Sequence, residues 1–282
     1  MIYSLFRRWR GPLGPWTFVA QLLIGLFFLA AAYHKILIYV VDGRTIVDDV
    51  AYWESMSLPP RWYTALLHWM FSLPYGHRVL EIAVMLLQGI GGVFLLLNRR
   101  IRLAGWMLVF VQANVFLGTF HHRGFNEFVG VSLIMSLYFA LRPRNAQWNA
   151  RAWNAIVVLT AADTVLYLYN RWNMGDPWIS SVAWQRLDLQ QDVMSTSWAW
   201  KSAVLRLSET SIGPLLWTAP WWMGAALVAF VLWRKTRSYA LAGLTILAIL
   251  RTLTWINSIT SQGVLFVLLY FLVLANERES EH

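Results

Sequence analysis

The chain has no cysteine, and only 13% of its 282 residues are charged. The missing cysteine excludes disulfides, thiolate metal sites and a CxxC redox relay. A soluble domain carries about 25% charged residues, whereas 58% of this chain is hydrophobic. P-loop, GxSxG, EF-hand and HExxH motifs are also missing, so nucleotide binding, serine hydrolysis and the strong metal-site spacings have no sequence support. The composition predicts an all-α polytopic membrane helix bundle.

Eight apolar stretches divide the chain, and several are only about long enough to cross a roughly 30 Å hydrocarbon core. We therefore expect about eight transmembrane helices. The stretches run over 17–41, 79–97, 103–120, 125–141, 153–169, 214–233, 239–256 and 263–275.

Basic residues account for the net charge of +9, and they cluster at every second gap between the stretches. Clustering in short flanking segments favours membrane orientation over nucleic-acid binding. By the positive-inside rule, both termini are cytoplasmic, and segments 42–78 and 170–213 face outward. We expect an integral membrane protein, in the bacterial inner membrane. The clusters are Arg7, Arg8 and Arg10; Arg99, Arg100 and Arg102; Arg142, Arg144 and Arg151; and Arg234, Lys235 and Arg237.

The basic turns also indicate an internal repeat. Residues 99–102 superpose on residues 234–237, and in both halves an apolar span, a polar outward turn and another span follow. Four spans per half give both halves the same orientation, so we predict two parallel four-helix repeats, residues 1–148 and 149–282. Chance spacing in a multi-span protein is the alternative.

The outward segments are rich in aromatic residues, such as Trp53, Trp62 and Trp69 in the first and Trp198 and Trp200 in the second. Indole rings favour the headgroup layer, where the ring is buried and its N–H stays hydrated. We expect interfacial helices there. A docking surface for another subunit is the alternative.

Polar residues, all but one of them ionisable, lie near the outward ends of the first four spans and form a candidate ligand-binding cluster, since such residues are costly in hydrocarbon. Histidine beside carboxylate can bind a metal, relay protons or hydrogen-bond a quinone. Hydration at the water interface is the alternative explanation. No metal site and no catalytic residue is assigned. The cluster comprises His34, Lys35, Glu81, His121, His122, Asn126 and Glu127.

Two charges are predicted deeper in the second half. Asp163 and Arg251 each lie roughly 15–18 Å beyond the cytoplasmic starts of their spans. Because a lone charge there is costly, we expect a structural ion pair between them. A proton or ion pathway is the alternative.

The run Leu22–Leu37, which ends in Tyr33-His34-Lys35-Ile36-Leu37, resembles the first-helix signature of the DoxX/DoxD-like membrane proteins. The turn Phe120–Glu127 resembles the polar start of that family's fourth helix. The resemblance covers residues 17–142 and implies a membrane subunit, in some relatives a quinone-linked one. The layout is also similar to the HTTM domain of vitamin K-dependent carboxylase relatives.

Three functions remain open at this point. The first is a membrane subunit that anchors membrane or periplasmic partner subunits and holds a quinone or lipid near the outer face. The second is a carboxylase-like or quinone-reducing enzyme with its own outer-layer active site. The third is a structural or assembly subunit, or a small-solute transporter. Whether the chain is an enzyme therefore stays open.

Overall fold

The computed structural model describes residues 9, 14–55, 59–119, 126–142, 149–173, 206, 210–254 and 262–280. All the regular elements of these ranges are helical, which confirms the predicted all-α class. The helices are α1 (Pro15–Ile36, continued by a π-helical turn, Leu37–Val41), α2 (Ile46–Ser55), α3 (Arg61–Ser72), α4 (Gly76–Leu96), α5 (Ile101–Gly118), α6 (Asn126–Leu141), α7 (Ala150–Asn173), α8 (Gly213–Val231), α9 (Arg237–Thr254) and α10 (Gln262–Ser280).

Three helices in the described ranges are long and apolar enough to cross a membrane: α1 with its π turn, α4 and α5. They match the first three predicted spans. Shorter apolar helices cover Gly130–Leu141, Trp222–Val231 and Arg237–Leu250. The other predicted spans fall on these shorter apolar helices and on α7 and α10, so the count of eight stays a prediction.

The chain divides into two compact units. Unit 1 comprises Met1–Ile156 with Glu279–His282, and unit 2 comprises Val157–Arg278. The predicted relation of the two halves as parallel repeats stays a prediction.

Helices α1 and α4 of unit 1 approach each other closely through two glycines. A Cβ on Gly92 would lie 2.9 Å from the carbonyl oxygen of Gly25, and one on Gly25 would lie 3.1 Å from that of Gly92. Further along, a Cβ on Gly89 would be 3.7 Å from Ala32, an ordinary contact. Rising residue numbers in α1 thus meet falling numbers in α4, so the two helices are antiparallel.

Helices α2 and α3 cover the end of unit 1 at which α4 begins. Tyr63 and Leu67 of α3 are buried with Tyr39, Ile46 and Leu80 in one apolar cluster. The connection from α3 to α4 needs Gly76, because a Cβ there would overlap the Met70 carbonyl. We call this the capped end. The opposite end, at the turn with Arg99, Arg100 and Arg102, is called the basic end.

Unit 2 has its own buried polar contacts. The hydroxyls of Thr164 in α7 and Tyr270 in α10 lie 2.8 Å apart. Arg237 of α9 and Glu277 of α10 form a buried ion pair with an N–O distance of 3.5 Å. The partners are 106 and 40 positions apart in the sequence, so these contacts fix tertiary packing within the unit.

Candidate functional site

Two of the predicted cluster residues, Lys35 and Glu81, lie at the capped end of unit 1. Between them are two residues that sequence reasoning missed, Tyr39 and Asp49. The Tyr39 hydroxyl donates a hydrogen bond to Asp49 Oδ2 at 2.6 Å. Asp49 attracts the ammonium of Lys35, and Glu81 is close enough to Tyr39 to interact with it electrostatically. Tyr39 lies in the π-helical turn, a distortion often found at functional sites.

Glu81 has a structural task at this end. Its side chain is 2% exposed, and its carboxylate accepts hydrogen bonds from the backbone N–H of Ile46 and from Arg78, both at 2.9 Å. Ile46 is the first residue of α2, so the carboxylate lies at the positive end of that helix dipole. Both carboxylate oxygens are thereby used within the protein.

His34 is exposed and lies on another face of α1 from Ala32, Lys35 and Tyr39. Asn126 and Glu127 lie in the first turn of α6, but their side chains are outside the described part of the structure. His121 and His122 lie outside the described residues altogether. The structure thus brings Lys35 and Glu81 to one end and leaves His34 out of that group.

Of the predicted ion pair, Asp163 is buried on α7. Arg251 lies in α9, and its side chain is outside the described part. The pair stays a prediction.

The capped end is tied to α5 by Tyr63. Its hydroxyl lies 3.1 Å from both the backbone carbonyl and the side-chain oxygen of Asn114. Burial raises the pKa of Tyr63 to about 12, so the phenol keeps its proton and donates. A further contact is made by Trp53 of α2, whose ring occupies the space in which Gly118 would carry a Cβ.

A second polar layer lies in the interior of unit 1. Gln112 of α5 accepts a hydrogen bond from the Ser132 hydroxyl of α6 at 2.8 Å, and both residues are buried. Gln88 of α4 is only 3% exposed, yet its Oε1 has no hydrogen-bond partner in the described part of the chain. A buried acceptor without a donor is costly, so native proteins rarely keep one without a reason.

Polar groups at the basic end are instead well paired. Gln21 donates to the Leu95 carbonyl at 2.8 Å and to Asn98 Oδ1 at 3.1 Å, and accepts from Arg142 at 3.0 Å. Glu279 accepts from the backbone N–H of Trp16 at 2.9 Å and from the Thr17 hydroxyl at 2.5 Å. A carboxylate thus caps the N-terminal end of α1, where the helix dipole favours negative charge.

Within the described ranges, no group of three or more His, Cys, Asp or Glu residues could hold a metal ion. At the capped end, the Lys35 ammonium and the carboxylates of Asp49 and Glu81 interact with one another or with the Tyr39 phenol. Such an arrangement can orient polar groups and attract a ligand.

Comparison with protein-family models, with curated proteins and with solved structures finds no match. The resemblances to DoxX/DoxD-like proteins and to the HTTM domain therefore stay predictions. What can be said of function comes from the residues and their geometry.

Proposed function

We propose that the chain is an integral membrane protein that serves as a subunit of a membrane assembly, of the quinone-linked redox kind, and holds a lipid-soluble ligand. The observation that carries the proposal is the distribution of side chains on α4. Its buried face contains Glu81 and Gln88, whereas its exposed face beyond the first turn is apolar. The exposed apolar residues are Val79, Ile82, Leu86, Ile90 and Val93, followed by Leu97 just after the helix, and Arg78 in the first turn is also exposed.

This distribution is the reverse of a water-soluble helix. An apolar outer stripe suits hydrocarbon, and polar residues inside a membrane bundle either join helices by hydrogen bonds or mark ligand and ion sites. Helix α3 supports the same view, because Trp62 and Trp69 are both 61% exposed although the opposite face, with Tyr63, is buried. Aromatic side chains at the ends of spans favour the headgroup layer, so α3 is proposed to lie there.

The finer arrangement belongs to the same proposal. Eight spans form two parallel four-helix repeats, both termini are cytoplasmic, and the bilayer is the bacterial inner membrane. Partners are membrane or periplasmic subunits, and the candidate ligand is a quinone or a lipid.

The absence of cysteine allows a clean topology test. Single-cysteine variants at Arg99, Lys235 and Asp42, all exposed, would be treated with an impermeant maleimide in intact cells. Only Asp42→Cys is expected to react, and all three are expected to react after the membrane is permeabilised. Labelling of Lys235→Cys from outside would contradict the proposed orientation.

The assembly itself is tested by purification in mild detergent, followed by absorption spectroscopy and identification of the proteins and lipids that remain bound. A partner with a redox centre is expected. A bound quinone on a single polypeptide would instead favour the enzyme hypothesis, and partners without redox centres would favour a structural or assembly role.

A further inference from the structure

The interior polar layer of unit 1 carries an inference about the ligand. Gly91 of α4 faces α5, since a Cβ on it would lie 2.9 Å from Leu108. Gln88 is three residues before Gly91, and Gln112 is four residues after Leu108. In two antiparallel helices these steps run in the same direction, about 4.5 Å and 6 Å along the axis. The two glutamines therefore lie at about the same level on facing sides.

Gln88 and Gln112 nevertheless do not satisfy each other. Gln112 uses its Oε1 to accept from Ser132, and its Nε2 makes no hydrogen bond in the described part of the chain. Gln88 Oε1 is likewise without a donor there. Gln88 Oε1 is thus a buried acceptor without a donor, and Gln112 Nε2, at the same level, is a donor without an acceptor in the described part of the chain. If the Gln88 amide is rotated by half a turn, a donor is left unfilled in place of the acceptor.

Lys35 approaches the same level from α1. Ala32 lies against Gly89 of α4, and Lys35 is one turn beyond Ala32, about 4.5 Å along the axis. Side chains on a helix tilt toward its N-terminus, which for Lys35 is the direction of Gln88. The ammonium is attracted by Asp49 but makes no hydrogen bond within the described ranges. It can supply a second donor.

One acceptor and two donors match the hydrogen-bonding capacity of a hydroxyl group, which has one proton and two lone pairs. We propose that Gln88, Gln112 and Lys35 bind the hydroxyl of a lipid-soluble ligand, for which an alkyl hydroquinone is the representative. This inference rests on the proposed function and names its ligand chemistry. The hydroxyl donates to Gln88 Oε1 and accepts from Gln112 Nε2 and Lys35 Nζ.

The test uses the full chain in lipid nanodiscs, with empty nanodiscs as the partition blank. The probes are 2-decylhydroquinone, kept anaerobic, and its dimethyl ether, whose oxygens accept but cannot donate. The hydroquinone is expected to be retained at least about tenfold more tightly than the ether, because the ether leaves Gln88 Oε1 without a donor. Equal retention of both probes would overturn the inference and leave water as the occupant.

Two variants test whether Gln88 causes the preference for the hydroquinone over the ether. Gln88→Met keeps the side-chain length and removes the acceptor, so it is expected to bind hydroquinone no better than ether. Ser136→Ala is the matched control, because the Ser136 hydroxyl is also buried in α6 but donates to the Ser132 carbonyl of its own helix at 2.7 Å. It should keep the tenfold preference. A Gln88→Met chain that keeps the preference would overturn the assignment.

If a variant protein cannot be produced, the comparison of hydroquinone and ether retention by the unmodified chain still tests the inference. The measurement needs no partner protein. Loss of the hydroquinone preference and absence of redox partners are therefore separate results, and the first would leave the membrane-subunit proposal standing.

Discussion

The interface between α1 and α4 differs between the basic end and the interior layer. At the basic end, Gln21 has three hydrogen bonds and the Gly25–Gly92 approach leaves no room for a side chain. Two turns of α4 before Leu95, Gln88 Oε1 has no partner in the described chain, and the neighbouring Gly89 has ordinary contacts. Hydrogen bonds and close packing in the first region hold the helices together, whereas the second region contains a buried polar atom that has no hydrogen-bond partner in the described chain. Buried polar residues on one interface can thus have different roles, which their pairing distinguishes.

The sharpest test of this difference substitutes the two glutamines in the same way. Gln21→Met leaves the buried guanidinium of Arg142 and the Leu95 carbonyl without this partner. We expect it to lower the free energy of unfolding by about 3 kcal/mol. Gln88→Met removes a polar group that has no partner, so stability should stay unchanged or rise by about 1 kcal/mol.

The measurement is reversible unfolding in mixed micelles, followed by tryptophan fluorescence. Equal losses in the two variants would mean that Gln88 has a structural partner and that the comparison is wrong. A gain for Gln88→Met together with lost hydroquinone binding would show that the site costs stability.

A smaller effect is expected from the glycines of α4. Gly92→Ala places a Cβ 2.9 Å from the backbone oxygen of Gly25 and 3.0 Å from the backbone nitrogen of Leu29. Neither atom can move without shifting α1, so we expect a loss of about 2 kcal/mol. The matched control is Gly89→Ala, for which the added methyl finds ordinary contacts.

Gly89→Ala is expected to stabilise α4 by roughly 0.5–1 kcal/mol through its helix propensity. The same unfolding measurement checks both variants. If Gly89→Ala were as damaging as Gly92→Ala, the interior layer would be as tightly packed as the basic end, and space for a ligand would be lacking.

Hydrogen bonds hold the basic end together, and Tyr63→Phe tests whether they also hold the capped end. The substitution removes the hydroxyl that contacts Asn114 in α5 and leaves the ring in place. A loss of about 1 kcal/mol is expected. Trp62→Phe, on the exposed face of the same helix, is the control and should leave the unfolding free energy nearly unchanged in micelles. A neutral Tyr63→Phe variant would show that α3 is held by apolar packing alone.

The sequence predicted the helical class and the first three spans because runs of apolar residues determine both. It also placed Lys35 and Glu81 at one level, since depth along a helix follows from counting residues. The depth of a residue along the helix axis does not determine which face of the helix it occupies, however. His34 and Lys35 are neighbours in the sequence, but Lys35 is on the side of Ala32 and Tyr39, whereas His34 is exposed.

Residues that act through the tertiary fold were missed for a related reason. Tyr39 could have been found from its spacing of four residues after Lys35, which places both on one face of a helix. No local signal connects Gln21 with Arg142, 121 positions away, or Thr17 with Glu279. The importance of Gln88 is similarly invisible in the sequence, because a glutamine in a span ordinarily pairs with a neighbouring helix.

The smallest expected effect is a pH titration at the start of α2, which belongs to the capped end. Asp48 accepts hydrogen bonds from the backbone N–H of Thr45 at 2.7 Å and from its hydroxyl at 2.9 Å, and these bonds lower the pKa of Asp48 below 3.8. Because the folded-state pKa is lowered, the stabilisation of this helix end is present above the unfolded pKa and is lost as the pH falls through the folded one. The amide shift of Thr45, followed by NMR in micelles, should therefore titrate with a midpoint below 3.8, and Asp48→Asn should abolish the step. A midpoint at or above 3.8 would refute the role of Thr45.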